Sequence, residues 1–173
     1  MVRSNLNPTY LCRQAWFVAA FWSFLICGCG LDPEIEQPIS YSHALHLTEA
    51  GMDCVECHIG IETQLKATLP SIKRCKACHS KSKTGSAEEA VVVEAVLSNT
   101  EIPWKRIYQV PDHVFFSHRR HVKSGKVSCT TCHGEVEKLT EPPVRPIVPI
   151  LMSTCMECHD HKSISNDCLT CHV

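Results

Sequence analysis

Cys54-Val55-Glu56-Cys57-His58 sets two thiols three positions apart with an imidazole next in line. The same string returns as Cys75-Lys76-Ala77-Cys78-His79, Cys129-Thr130-Thr131-Cys132-His133, Cys155-Met156-Glu157-Cys158-His159 and Cys168-Leu169-Thr170-Cys171-His172. These strings take ten of the 13 Cys and five of the 11 His in a chain of 173 residues. Cysteine at that density flags a cross-linked or metal-rich chain. Aromatic residues are only 6%. Something other than side-chain burial must therefore hold the fold. The net charge of -1 gives no basis for strong electrostatic binding to nucleic acid.

Three ordinary uses of paired cysteines leave the pattern unexplained. The 17 residues between Cys57 and Cys75 suit a zinc ribbon. A four-Cys site, however, has no use for a His after every pair, and five pairs do not divide into two-pair sites. Thioredoxin-like chemistry needs a βαβ pattern that is not visible. Disulfides do not dictate a trailing His. With His at 11 of 173 residues, five trailing His by accident has odds of roughly one in a million. C-x-x-C-H is the covalent c-type haem signature. Thiols at i and i+3 share one side of a helical turn, so both sulfurs can add to the vinyl groups on one porphyrin edge. The next His swings under the ring as the proximal iron ligand. The pattern predicts five covalent haem c groups on Cys54, Cys57, Cys75, Cys78, Cys129, Cys132, Cys155, Cys158, Cys168 and Cys171, with His58, His79, His133, His159 and His172 proximal. The haems then act as the core, and the chain without them should not fold.

Six His remain: His43, His46, His113, His118, His121 and His161. They suffice to close every iron, which would give low-potential electron-transfer haems. A Met in that place would raise a potential, and an empty position would admit a small molecule. Their placement is ordered: H-x₂-H-x₇-C-x₂-C-H occurs from His43 and again from His118, 75 residues apart. Tyr41-Ser42 precedes the first copy and Phe116-Ser117 the second, and a further motif follows each, at Cys75 and at Cys155. The chain reads as a duplicated two-haem unit with a terminal haem at Cys168.

On these residues the chain resembles the class III multihaem c-type cytochromes of the cytochrome c3 / cytochrome c7 group, over roughly residues 39–173. That resemblance implies few secondary structures, mainly α: short helices and coil wrapped around five stacked c-type haems. It implies an electron carrier rather than an enzyme. It also implies that His43 caps the haem of His58 and His118 that of His133, with His46 and His121 reaching the haems of His79 and His159. The group's usual His before a late motif is missing from Ile150-Leu151-Met152-Ser153-Thr154, so His113, His161 and Met152 all stand as ligands of the fifth haem. A narrower similarity runs through Ile102–Ile107, Pro111–His118 and Cys129–Gly134. It is to pentahaem subunits of membrane quinol-oxidising assemblies such as alternative complex III. An alternative reading is therefore a subunit of such a complex. A reductase with one open haem iron is a further rival, against which the abundant spare His count.

The rest of the chain supplies compartment and spacing. Arg3 and Arg13 precede an apolar run, Ala15 to Ile26, too short for a membrane span and suited to a secretory signal. Gly28-Cys29 resembles a lipobox, making Cys29 the lipidation candidate and the membrane surface a partner through that anchor. Export beyond the cytoplasmic membrane, to the periplasm, follows. The expected organisation is a signal peptide at 1–28, a tether at 29–40, a two-haem unit at 41–85, an inter-unit helix and linker at 86–112 and a three-haem unit at 113–173. Ser86 and Glu89 form a capping box ahead of Ala90–Leu97, which favours a helix, while Val91-Val92-Val93 keeps a strand open. Pro142, Pro143, Pro146 and Pro149 mark an extended connector. Basic stretches at Lys66–Lys83 and Arg119–Lys126 suit a solvated face, pairing with haem propionates or docking of an acidic redox partner protein.

Overall fold

The computed structural model describes residues 34–172; the signal segment and Cys29 lie outside them. Short α-helices sit at the motifs: Cys54–Cys57, Ile72–Lys76, Cys129–His133, Met152–His161 and Cys168–Cys171. The longest helix among the described residues, Ala87–Ser98, carries none. Among the described residues there is no sheet, only an isolated antiparallel bridge between Val114 and His172. No helix among them is long and apolar enough to cross a membrane.

Local chemistry accounts for these helices. At the first motif Asp53 caps the helix through the Cys54 N–H, and the Asp53 N–H donates to Glu56 at 2.8 Å. This reciprocal capping box starts the turn on Cys54 itself. The Ala87–Ser98 helix starts where Ser86 Oγ accepts the Glu89 N–H at 3.1 Å and ends at Asn99 in the left-handed conformation. With both ends fixed and acidic residues in the first turn, Val91–Val93 are helical and the strand alternative falls. The capping-box expectation holds only by half. Ser86 N–H goes to Thr84 Oγ1, and the Glu89 carboxylate turns away into the protein.

The aliphatic core is small. Ile61, Ile72, Val96 and Ile102 are the buried hydrophobic residues among those described. Three of them cluster, with Val92, Ala95, Trp104 and Ile39 packed around them. The cluster seats the Ala87–Ser98 helix on the Ile72–Lys76 helix, whose first N–H (Ile72) is capped by Glu101 at 2.8 Å. Residues 139–151 contain no helix. This connector is tied back where Ile35 N–H meets the Val144 carbonyl at 2.8 Å and Arg145 pairs with Glu34.

The duplication is visible in matching bonds. The lead-ins form π-helical turns, Leu45–Glu49 and Arg119–Ser124, a rare form that tends to mark functional sites. Ala44 N–H reaches across to the Leu139 carbonyl at 2.9 Å, and Arg119 N–H to the Gln64 carbonyl at 3.4 Å. Both donors and acceptors are offset by 75 residues. Each copy's lead-in therefore docks on the loop that follows the other copy's motif.

Candidate haem sites

The lead-in spacing has a physical reason. Tyr41 stands edge-on to His43 (centroids 4.9 Å) and stacks on His46 (4.5 Å). Phe116 does the same to His118 (4.8 Å) and His121 (4.7 Å). One aromatic ring thus fixes two imidazoles. The next Ser contributes its carbonyl: Ser42 O lies 2.9 Å from His46 Nδ1, and Ser117 O lies 2.8 Å from His121 Nδ1.

Three of the motif imidazoles and one further lead-in imidazole also have Nδ1 partners. His58 Nδ1 is 3.0 Å from the Thr68 carbonyl, and His159 Nδ1 is 3.3 Å from that of Ser165. His118 Nδ1 faces the Leu65 carbonyl at 3.4 Å and the Ala67 N–H at 3.3 Å. His79 Nδ1 is 3.0 Å from Glu89 Oε1. An Nδ1–H given to an acceptor leaves Nε2 as the lone-pair donor and fixes the ring plane, the arrangement expected of metal-ligating histidines.

The imidazole rings lie in pairs. Ring centroids are 6.1 Å apart for His46 and His79, 6.4 Å for His118 and His133, and 6.2 Å for His121 and His159. For His113 and His172 the distance is 5.5 Å, with the planes 16° apart. Two metal–imidazole bonds of about 2.0 to 2.1 Å end to end, plus half a ring on either side, give about 6 Å. His43 neighbours His58: burial, then the His58 charge, then that of His46, lowers it to about 4. Burial lowers His118, against the Leu65 carbonyl, and His133 beside it. Neutral imidazoles are what iron ligation requires.

These pairs suit haem and not a protein-only metal site. Nowhere among the described residues do three His, Cys, Asp or Glu side chains converge on one point, and two opposed imidazoles are the axial pair that a haem iron takes. The ten motif thiols are all free of disulfides. His161 and Met152 stand apart from the paired rings: the His161 side chain is 78% exposed, 3.9 Å from Glu157, and Met152 is 66% exposed.

The thiols of different motifs are also close enough to act on one another. Burial first, and then the neighbouring thiol, raises Cys75, Cys54, Cys132 and Cys155: Cys57 lies beside Cys75, Cys129 beside Cys54, Cys158 beside Cys132 and Cys171 beside Cys155. Sequence reasoning missed the Nδ1 acceptors Thr68, Ser165 and Glu89. Only the Ser after each lead-in aromatic carried a visible signal, through its repetition.

The comparisons agree with this geometry. The family described as "Cytochrome c7 and related cytochrome c" matches residues 39–95 and 114–173, one match per copy. The "Menaquinone reductase, multiheme cytochrome c subunit" of Nitratidesulfovibrio vulgaris (strain Hildenborough) is 34% identical over 177 aligned residues, covering 86% of this chain and 84% of its own length. With both copies matched and all ten motif thiols inside the matched residues, the chain belongs to the cytochrome c7 and related multihaem cytochrome c family.

Proposed function

We propose that this chain is a pentahaem, bis-His electron-transfer subunit of a quinone-linked redox complex, working outside the cytoplasm as multihaem c-type cytochromes do. The observation that carries the reading is the facing of four motif His by a second imidazole: His46, His118, His121 and His113 opposite His79, His133, His159 and His172; His43, whose pKa burial and then the His58 charge lower, is the partner assigned to His58. Bound haem supplies a one-electron iron couple. The chain's part is to hold ten thioether sulfurs and ten imidazoles so that the centres lie close together. The Nδ1 acceptors of His46, His58, His79, His121 and His159 keep their Nε2 atoms directed at iron, and the aromatic clamps keep the lead-in rings from turning. His113 is the fifth distal ligand in this assignment, in preference to His161 and Met152. The organisation is then a two-haem unit at 41–85, a helix and linker at 86–112 and a three-haem unit at 113–173.

Imidazoles on both sides of every iron leave no position for substrate, which favours electron transfer over a reductase active site. The relative named as a menaquinone reductase subunit supports membership in a complex over a free shuttle. Its name puts quinone on the accepting side, opposite to the quinol-oxidising assemblies that the Ile102–Gly134 similarity suggests. A lipid anchor at Cys29 would hold the chain at the membrane surface. The test is the mass of the mature protein together with low-temperature paramagnetic resonance of its oxidised form. Five haems, all low-spin, and co-purification with a quinone-reducing membrane partner are expected. A high-spin iron that binds cyanide in the native state would overturn the assignment.

A further inference from the structure

His79 is held differently from the other histidines. His46, His58, His121 and His159 direct Nδ1 at neutral backbone carbonyls, those of Ser42, Thr68, Ser117 and Ser165. His79 directs it at a carboxylate, 3.0 Å from Glu89 Oε1. Glu89 is only 6% exposed. It sits in the first turn of the Ala87–Ser98 helix, where the helix dipole favours negative charge.

The other contacts of Glu89 identify its ionisation state by geometry. The backbone N–H groups of Lys83, Thr84 and Gly85 reach its oxygens at 2.8, 2.7 and 3.1 Å. The Ser82 and Thr84 hydroxyls approach at 2.8 Å each. A backbone N–H cannot become an acceptor, and both oxygens receive one. A protonated carboxyl would point its own hydrogen at a donor, so the cradle fits the anion. The 80–86 segment thus wraps a buried negative charge and presents it to His79.

Resting on the five-haem reading above, we propose that Glu89 tunes the haem of Cys75, Cys78 and His79. Its carboxylate draws on the Nδ1 proton of His79 and makes that iron the lowest-potential centre of the five. A partly withdrawn proton makes Nε2 a stronger donor and favours the ferric over the ferrous state. The buried charge acts in the same direction. Glu89 is a positioning residue, since it reaches the iron only through His79.

The experiment is a redox titration of the full-length haem-loaded protein, with each step assigned to its haem by nuclear magnetic resonance. In the unaltered protein the haem on Cys75 and Cys78 is the last to be reduced; any other haem in that place overturns the proposal. In Glu89→Gln, which keeps the size and removes the charge, the lowest step moves up and the paramagnetic signal of that haem changes, while the other four steps stay. Glu89→Asp restores part of the shift, and Ser82→Ala, which removes one cradle donor but keeps the carboxylate, leaves the order intact. A Glu89→Gln protein with five haems and an unmoved lowest step overturns the tuning role alone. Absence of haem from the Cys75–Cys78 peptide overturns the five-haem reading and the inference together.

Discussion

Met152 and His113 separate by environment what spacing left open. A methionine ligand would raise its haem potential well above the rest, but Met152 is 66% exposed. His113 is presented to His172 because Val114 bridges to His172 and Phe115 N–H bonds the Cys171 carbonyl at 2.7 Å. Met152→Leu should therefore leave every potential in place. His113→Ala should convert one haem to a high-spin, cyanide-binding form, seen by paramagnetic resonance of the oxidised protein. An upward or downward move of one potential in Met152→Leu would return the fifth ligand to Met152. The thiol pairs and trailing His were legible in the sequence because the chemistry that fixes them lies within one helical turn. The pairing of His113 with His172 was not, because it depends on a bridge joining residues 114 and 172, which no local spacing encodes. Glu89 shows the opposite case. Its local signal, three residues after Ser86, was read as a helix cap, and the donors of the turn just before the helix, Ser82 to Gly85, claimed the carboxylate instead.

The element after the third motif shows how the connector is seated. Gly134 follows His133 at φ 66° and ψ -160°, a region that is essentially glycine-only. A Cβ there would come within 2.6 Å of Ile147 Cγ2 and 3.2 Å of Ile147 Cβ. Ile147 belongs to the proline-marked stretch, and its N–H is fixed 2.8 Å from the Tyr108 hydroxyl, whose ring stands edge-on to His133 at 4.4 Å. The connector thus packs on the backbone that leaves the proximal His. Gly134→Ala combines backbone strain with a clash that Ile147 cannot escape without dragging the connector. A loss of about 2 to 4 kcal/mol is expected, read as a lower midpoint in denaturant unfolding of the haem-loaded protein. A change under about 0.5 kcal/mol would mean that the connector is not seated there. The first copy has Ile59 at the matching position, so the glycine belongs to the second copy's connector and not to the haem motif. The prolines announced the connector's extended form, but not the residue it packs on.

At the scale of the molecule, the two copies are interlocked without a core of their own. Each lead-in bonds the other copy's post-motif loop, through Ala44 to Leu139 and Arg119 to Gln64, yet the buried aliphatic side chains among the described residues are four. Three of those serve one local contact, between the Ala87–Ser98 and Ile72–Lys76 helices. Four such side chains cannot offset the backbone entropy lost on ordering this much chain. The motif helices of four or five residues are far below the length at which a helix is stable alone. What remains to join the elements is the facing imidazoles and the paired thiols, and these become links only through a shared ring and iron. Protein produced without haem attachment, or stripped of haem, should therefore give a far-ultraviolet spectrum with little helix beyond the Ala87–Ser98 segment and no cooperative transition in urea. Haem-loaded protein should unfold in a sharp step. A cooperative transition in the stripped chain would show that the polypeptide carries its own core, and the cross-copy backbone bonds would then be its cause rather than its consequence.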